Sequence, residues 1–169
     1  MEKKPIIHMV GIGGSGLSAM ARILLEKGYI VRGSDRQTSS VTMDLEMVGA
    51  SIFRGHKAEN IIGSDLVIRS SAIPDSNIEV IAAREAGIPV LKRADFLPQL
   101  VKGSWVIAVA GTHGKTTTTA MIAWVLTYLD QDPSFLIGGI SNNLRSNAHA
   151  GSGRFFVIEA DEYDRMFLG

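Results

Sequence analysis

The sequence predicts an α/β protein that begins with a Rossmann-like parallel sheet and continues into a second α/β domain. Two observations favour this fold class. Short apolar runs alternate with helical patterns along the whole chain, as in parallel sheets whose strands are joined by helices. Two of these runs are followed by glycine-rich loops that lead directly into helical patterns, at residues 11–16 and 111–114. The chain has 169 residues, enough for one or two domains.

The first part of the chain is expected to alternate strand and helix throughout. Apolar residues recur with helical spacing at 17–27, and Gly28 follows where a helix C-cap glycine belongs. Gly49 and Gly87 close two further helical patterns in the same way, whereas Pro98 weakens the last helix internally. The expected strands are 6–10, 30–33, 51–53, 66–69 and 89–91, and the expected helices are 17–27, 41–48, 77–86 and 94–101.

The pattern restarts near residues 101–104, and we expect a domain boundary there, which gives domains 1–102 and 103–169. A strand at 105–110 and a helix at 115–129 open the second domain. Further strands are expected at 135–137 and 155–158, with a loop rich in Gly, Ser and Asn at 138–153. A parallel sheet needs both faces covered, and this domain supplies one helix. We therefore expect the chain to be an N-terminal piece of a longer protein, with an incomplete second domain.

Composition excludes several classes of function. Apolar residues make up 46% of the chain, so it can bury a substantial core. Lys+Arg and Asp+Glu both number 17, and this balance gives no reason to expect binding to nucleic acid or an anionic membrane. The absence of cysteine rules out disulfides and thiolate metal sites. The N-terminus lacks the long unbroken apolar stretch of a signal peptide or membrane span, so we expect a cytoplasmic protein.

The second glycine loop reads Gly111-Thr-His-Gly-Lys-Thr116 directly after an apolar run. Glycines let backbone N–H groups turn toward phosphates, Lys115 offsets phosphate charge, and the Thr116 hydroxyl can ligate Mg²⁺. The usual pattern has a further glycine where this chain has Val109. The alternative is a glycine-rich turn with a solvated lysine, but strand, loop and helix all agree with a phosphate site. The second domain is therefore expected to be the start of a P-loop ATPase α/β domain.

The first loop matches the pattern G-x-G-x-x-G between a strand and a helix, and Asp35 follows at the end of the next strand. That arrangement predicts binding of a pyrophosphate at the helix N-terminus, with Asp35 on a ribose hydroxyl. NAD, FAD and a UDP-sugar all present two phosphates, so the motif does not decide among them. A tight turn without a ligand is the remaining alternative.

Four acids occur within six residues after the apolar run 155–158, namely Glu159, Asp161, Glu162 and Asp164. Ligands of open α/β sheets bind outside the carboxyl ends of the strands, where the second loop also lies. Carboxylates at that edge favour a cation, and Mg²⁺ prefers oxygen ligands. Because side chains alternate along a strand, Glu159 and Asp161 would lie on the same face and could contact such a cation equally well. The alternative is a solvated acidic turn.

The two loops, in this order, resemble the Mur ligases, ATP-dependent amide-forming enzymes that build the peptide stem of peptidoglycan. The resemblance covers the whole chain. Within the family, the motifs fit best the branch that adds L-alanine to UDP-N-acetylmuramate, and the recycling ligase that attaches a tripeptide to the same nucleotide sugar is a close competitor. The motifs are Gly11-Ile-Gly-Gly-Ser-Gly-Leu-Ser18, Gly33-Ser-Asp35, Ser70-Ser-Ala-Ile-Pro74, Ala110-Gly-Thr-His-Gly-Lys-Thr-Thr-Thr-Thr119, Gly138-Gly139, Glu159-Ala-Asp-Glu-Tyr-Asp164 and Arg165-Met-Phe-Leu168.

The resemblance implies a role for each matching position. Lys115 is the implied catalytic residue, which binds the ATP phosphates. His113 is a second catalytic candidate because it lies inside the phosphate loop, where it could touch substrate or phosphate, but it could equally be a loop histidine bonded to backbone. Glu159 and Thr116 are the implied Mg²⁺ ligands, and His56 is a weaker candidate for the nucleotide-sugar site. The implied UDP-sugar residues are Gly11, Gly13, Gly14, Ser15, Gly16, Ser34, Asp35, Ser70, Ser71 and Ala72, and the implied ATP residues are Gly111, Thr112, Gly114, Lys115, Thr116 and Thr117.

The implied reaction consumes ATP with Mg²⁺ and joins L-alanine to UDP-N-acetylmuramate through an acyl phosphate. The lactyl carboxylate attacks the γ-phosphate, and the amine then displaces phosphate. We expect the longer protein to be active and this chain alone to bind nucleotide without turnover. Two other classes stay open: a nicotinamide-dependent dehydrogenase, which leaves the second loop unexplained, and a non-catalytic nucleotide-binding module.

Overall fold

The computed structural model describes residues 4–160. The chain divides into two compact units, one ending at Phe96 and the other beginning at Leu97. The α/β class and the Rossmann-like parallel sheet are confirmed. No helix within residues 4–160 is long and apolar enough to cross a lipid bilayer.

The first unit is built on a five-stranded, fully parallel sheet with the strand order β3-β2-β1-β4-β5. The central strands β1 and β4 are almost wholly buried, which explains why their sequences are apolar except for His8 and Arg69. The strands are β1 (Ile6–Val10), β2 (Ile30–Asp35), β3 (Ser51–Arg54), β4 (Leu66–Arg69) and β5 (Val90–Lys92), and the helices are α1 (Ser15–Glu26), α2 (Ser40–Met47) and α3 (Ile78–Glu85), with a 3-10 turn at Ala58–Ile61. Helix α4 (Arg93–Leu100) begins in this unit and ends in the second.

Strand order places the carboxyl ends of β1, β2 and β4 side by side. Val10 lies opposite Ser34 in the register of β1 with β2, and opposite Arg69 in that of β1 with β4. Loops that follow these three strands therefore converge at one edge of the sheet. A buried apolar cluster packs on the β1–β4 part of the sheet and contains Val10, Ile61, Val67, Ile73, Val80 and Ala83.

The second unit carries a four-stranded mixed sheet with the order β6-β9-β7-β8. Strands β6 (Trp105–Val109), β9 (Phe155–Glu159) and β7 (Ser134–Ser141) run parallel, and β8 (Ser146–His149) pairs antiparallel with β7. Helix α5 (Lys115–Tyr128) packs on this sheet through a cluster of Ala123, Phe135, Ile137 and Val157.

The expected loop at 138–153 is wrong in part, because the structure forms a hairpin there. Strand β7 continues to Ser141, and β8 returns along it after a turn in which Arg145 has φ 53°. The sequence Ser146-Asn-Ala-His149 lacks the apolar alternation that usually marks a strand. Its place at the sheet edge, with one neighbouring strand among the described residues, explains why polar residues suffice.

Candidate functional site

The first glycine loop is held closed by the end of strand β2. The carbonyl of Ser34 accepts hydrogen bonds from the backbone N–H groups of Gly11 at 2.8 Å and Ile12 at 3.1 Å. The Asp35 carboxylate accepts one from Gly13 N–H at 2.9 Å. A Cβ on Gly13 would lie 2.9 Å from Asp35 Oδ2, so only glycine permits this approach. Three loop amides are therefore engaged within the protein.

The first turn of α1 offers the next amides along the chain. Gly14 N–H bonds Gly11 O at 3.2 Å, and the first helical bond runs from Ser18 N–H to Gly14 O at 2.9 Å. The N–H groups of Ser15 and Gly16 therefore lie in the first turn, where a helix has no internal acceptors for them. This turn is where the loop can hold an anion.

Arg93 is a residue of this region that the sequence analysis missed. It opens α4 directly after β5, at the same sheet edge as the loop. A Cβ placed on Gly16 would lie 2.8 Å from Arg93 Nη1, so the guanidinium lies against the glycine at the start of α1. The available signal was a basic residue immediately after a strand. Arg93 adds positive charge beside the α1 amides.

The turn after β4 brings the predicted Ser70, Ser71 and Ala72 to the same edge. Ser70 N–H bonds the carbonyl of Val10 at 3.1 Å, and Ser70 Oγ accepts from Ala72 N–H at 3.3 Å. A Cβ on Gly11 would lie 3.4 Å from Ser70 Cβ, so the two loops are in contact. Ser71 and Ala72 are exposed.

Hydrogen bonds from Arg69 stabilise that turn. Arg69 is 5% exposed. Its guanidinium donates to the carbonyl of Ile73, and it donates to the two carboxylate oxygens of Asp75, which both lie at 3.1 Å. A hydrogen bond from Arg84 is the main cause that lowers the pKa of Asp75 below its usual value.

The structure does not bring every predicted residue of the first unit to the surface. Ser34 is fully buried, and its hydroxyl donates to the buried carboxylate of Glu79 at 2.5 Å. His56 Nδ1 lies 3.0 Å from Ser34 Oγ. In this structure Ser34 therefore contacts the glycine loop through its backbone carbonyl, whereas its hydroxyl is bonded to Glu79.

The second glycine loop connects β6 to α5 through two glycines that have positive φ. Gly111 has φ 144°, and Gly114 at the helix N-cap has φ 77° in the left-handed region. Lys115 Nζ donates to the carbonyl of Gly111 at 2.7 Å, so the ammonium lies over the loop. His113 and Thr112 contact each other, with Nδ1 3.2 Å from Oγ1, and both are exposed.

Thr116 and Glu159 meet beside this loop. Thr116 Oγ1 donates to the Glu159 carboxylate, with its two oxygens at 2.9 and 3.1 Å. The same carboxylate accepts from the backbone N–H of Gly138 at 2.8 Å. A Cβ on Gly138 would lie 2.6 Å from Glu159 Oε2, which gives a physical reason for the first glycine of the Gly138-Gly139 motif.

The pair of hydroxyl and carboxylate suits Mg²⁺, an ion that takes one or two protein oxygens and keeps waters and phosphates as its other ligands. Over residues 4–160 no cluster of three or more His, Asp or Glu side chains forms an all-protein metal site. Asp161, Glu162 and Asp164, and the Arg165-Met-Phe-Leu motif, lie outside the described residues.

A groove of about 380 Å³ lies next to the start of α5. Thr116 and Thr117 from the helix form one side, and Ile140, Asn142 and Asn143 from the β7–β8 hairpin contribute to the other. Its volume is in the range of ligand pockets. Unlike Thr116 and Thr117, the hairpin residues were not among the predicted binding residues.

Comparisons with known proteins identify relatives of this chain. A sequence model described as "Mur ligase family, catalytic domain" matches residues 6–105. A curated relative from Pelodictyon phaeoclathratiforme, named UDP-N-acetylmuramate--L-alanine ligase, is 52% identical over 99% of this chain and 35% of its own length. One from Chlorobaculum tepidum with the same name is 50% identical over 99% of this chain and 36% of its own length. The chain thus spans about a third of the length of these relatives.

Solved structures give the same result. The UDP-N-acetylmuramate-alanine ligase of Thermotoga maritima is 40% identical with a TM-score of 0.84, covering 94% of this chain and 37% of that one. The UDP-N-acetylmuramate:L-alanyl-gamma-D-glutamyl-meso-diaminopimelate ligase of Neisseria meningitides is 35% identical with a TM-score of 0.88, covering 96% and 54%. On its sequence and its fold, this chain belongs to the Mur ligase family.

Proposed function

We propose that this chain carries the UDP-sugar-binding domain and the ATP phosphate loop of a ligase that joins L-alanine to UDP-N-acetylmuramate. The observation that carries the proposal is the contact of Thr116 with Glu159 beside the loop of Gly111 and Lys115, in a member of the Mur ligase family. This pair has the chemistry of a Mg²⁺–nucleotide site. The name shared by relatives such as the 52% identical Pelodictyon protein supports the choice of substrates.

The proposed domain 1–102 binds the nucleotide sugar. The amides of Ser15 and Gly16 at the N-terminus of α1 hold the diphosphate, and Arg93 offsets its charge. Gly11, Gly13 and Gly14 shape the turn that presents those amides. Asp35, Ser70, Ser71 and Ala72 line the remainder of this site, with Ser34 buried beneath it.

The proposed domain 103–169 binds ATP. Gly111, Thr112 and Gly114 supply backbone groups to the phosphates, and Thr117 lies next to them on α5. Lys115 places its ammonium over the loop, where it offsets charge on the transferred phosphoryl group, and His113 lies in the same exposed turn. Thr116 and Glu159 hold Mg²⁺, which when bound neutralises phosphate charge.

The residues contribute position and charge rather than a covalent intermediate. The lactyl carboxylate of the sugar attacks the γ-phosphorus of ATP, so that ADP leaves and an acyl phosphate forms. The amine of L-alanine then attacks the acyl carbon, loses a proton and displaces phosphate. Ser34, His56 and Glu79 lie together, but the Ser34 hydroxyl is fully buried and donates to Glu79, so this trio is unsuited to nucleophilic attack. The reaction belongs to peptidoglycan precursor synthesis, and we place it in the cytoplasm, where ATP is available.

A ligase that transfers a tripeptide to the same sugar nucleotide is the second candidate. The likeness to the Neisseria ligase, at a TM-score of 0.88 and 35% identity, favours it. The two candidates use the same nucleotide sugar and ATP, so the groups described above serve both. They differ in the amine that attacks the acyl phosphate.

Phosphate release by the natural full-length protein tests the proposal and separates the candidates. The protein is assayed with Mg-ATP, UDP-N-acetylmuramate and either L-alanine or L-alanyl-γ-D-glutamyl-meso-diaminopimelate. We expect release that depends on L-alanine and on the sugar nucleotide. Release with the tripeptide alone would assign the second candidate, and no release with either amine would refute both.

A further inference from the structure

Glu79 is a fully buried carboxylate in the first turn of α3, and neither the reaction nor the sequence motifs account for it. Its two oxygens are surrounded by polar groups from three other segments of the first unit. Oε2 accepts from Ser34 Oγ at 2.5 Å and lies 3.3 Å from His56 Nδ1 and 3.4 Å from His8 Nε2. Oε1 accepts from Asn60 Nδ2 at 2.5 Å and from Lys57 N–H at 3.2 Å.

This carboxylate is charged in the folded protein. Burial by itself raises the pKa of Glu79, but hydrogen bonds from His8, Ser34 and Asn60 outweigh it and lower the pKa to about 2. An apolar side chain at the same position would avoid the cost of burying a charge. A buried, fully bonded anion of this kind fixes the geometry of the groups around it.

The directions of the hydrogen bonds show that Glu79 and His56 fix the side chain of Ser34. At 2.5 Å from a carboxylate, the Ser34 hydroxyl donates its hydrogen to Glu79. His56 Nδ1, 3.0 Å from Ser34 Oγ, must then carry its own hydrogen and donate. The Ser34 hydroxyl therefore makes two hydrogen bonds, one donated to Glu79 and one accepted from His56.

The backbone of Ser34 faces the first glycine loop. Its carbonyl accepts from Gly11 and Ile12, and the next residue, Asp35, accepts from Gly13. Glu79 anchors the side chain of the one residue whose carbonyl holds two successive loop amides. Ser34 is thus the single residue that links Glu79 to the loop.

We propose that Glu79 is a positioning residue for the diphosphate site: through Ser34 it fixes the glycine loop that presents the N-terminus of α1. This rests on the proposed function in that the ligand is taken to be a UDP-sugar. Glu79 does not touch the ligand. It sets the affinity for the diphosphate by holding Gly11 and Ile12 in place.

The test compares Glu79→Gln with Val80→Ala in the natural full-length protein. Glutamine keeps the size of the side chain but replaces one acceptor oxygen with an amide N–H₂ group. That group is a donor, and its neighbours around Glu79 are donors as well. Val80 is the neighbouring residue on α3, is fully buried in the apolar cluster, and makes a control for general loss of stability. Ser34→Ala is a second, milder variant, because it removes the link and leaves Glu79 its other donors.

Two measurements are made on each variant under conditions where it is folded. The first is amide hydrogen exchange at Gly11 and Ile12, relative to buried amides of α1. The second is calorimetric affinity for UDP-N-acetylmuramate. We expect Glu79→Gln and Ser34→Ala to speed exchange of both loop amides and to weaken binding by about tenfold or more, because part of the binding free energy must then be used to order the loop. In Val80→Ala, the relative exchange of the two loop amides and the affinity for UDP-N-acetylmuramate both stay as in the wild type.

Loop exchange and affinity in Glu79→Gln and Ser34→Ala that match those of Val80→Ala would overturn the inference. A wild-type protein that binds no UDP-N-acetylmuramate would instead overturn the proposed function. In that case faster exchange of Gly11 and Ile12 in the two variants would still support the role of Glu79 in holding the loop.

Discussion

Thr116 donates a hydrogen bond from its hydroxyl to the Glu159 carboxylate, 2.9 Å away, and so joins the first turn of α5 to the end of β9. The two residues are 43 positions apart in the chain. Parallel pairing of β6 with β9 brings them together, because the loop before α5 leaves β6 at Val109, which is opposite Glu159. The contact turns two separate sequence motifs into one oxygen-rich site.

Substitution of Gly138 tests the position of Glu159. A Cβ at Gly138 would lie 2.6 Å from Glu159 Oε2 and would force the carboxylate to move, whereas one at Gly139 would make an ordinary contact of 3.5 Å with Thr116. We expect Gly138→Ala to raise the Mg²⁺ concentration needed for half-maximal activity by about tenfold or more, as for loss of a group that orients a metal ligand. Gly139→Ala, the matched control, leaves it nearly unchanged. Equal effects in the two variants would contradict the assignment of Glu159 to the metal.

Removal of the Lys115 ammonium tests the assignment of the second loop. We expect Lys115→Ala to lower kcat on the order of 100-fold or more, the usual effect of deleting one group that stabilises transition-state charge. Binding of UDP-N-acetylmuramate, measured by calorimetry, should stay intact. The control is Lys102→Ala, an exposed lysine in the same unit. Loss of sugar-nucleotide binding in Lys115→Ala would mean that the roles of the two loops are misassigned.

Arg93 provides a test of the diphosphate site that no sequence motif suggested. We expect Arg93→Ala to weaken binding of UDP by about 10-fold or more, because a charge-assisted hydrogen bond to phosphate is lost. Binding of uridine, which lacks phosphates, should change little. Arg22→Ala, further along α1, serves as the control. A parallel loss for UDP and uridine in Arg93→Ala would indicate a general structural defect instead.

The low pKa of Glu79 predicts a specific dependence of stability on pH. The folded state holds the pKa at about 2, below the ordinary value of 4.5, so the charged carboxylate stabilises the fold above pH 4.5. That contribution, about 3 kcal/mol from the size of the shift, is lost as the pH falls from 4.5 toward 2. Urea unfolding of wild type and Glu79→Gln should give a difference in unfolding free energy that is largest at neutral pH and shrinks at pH 3. A difference independent of pH would argue that Glu79 is not charged when folded.

Elements with strong local patterns were predicted well from the sequence. Strands β1 and β4 have the predicted bounds, because each is a buried, mainly apolar run that is followed by a turn residue. The glycine loops were found because φ values such as 77° at Gly114 require glycine at fixed places before a helix. Strand β8 was missed since its polar sequence gives no periodic signal.

The groups that support the first site could not be read from the sequence in the same way. Glu79 resembles an ordinary acidic residue in a first helical turn, and its bond to Ser34 spans 45 positions. Arg93 meets Gly16 only because β5 is the fifth strand of the same sheet. Such pairings depend on strand order, which short motifs do not encode.

Calorimetry on the natural full-length protein with UDP-N-acetylmuramate and with NAD tests most directly the claim that the first loop binds a sugar nucleotide. The loop pattern alone fits both ligands, whereas the membership of the Mur ligase family favours the first. We expect saturable binding of UDP-N-acetylmuramate and no heat of binding with NAD. Saturable binding of NAD without any response to UDP-N-acetylmuramate would contradict it.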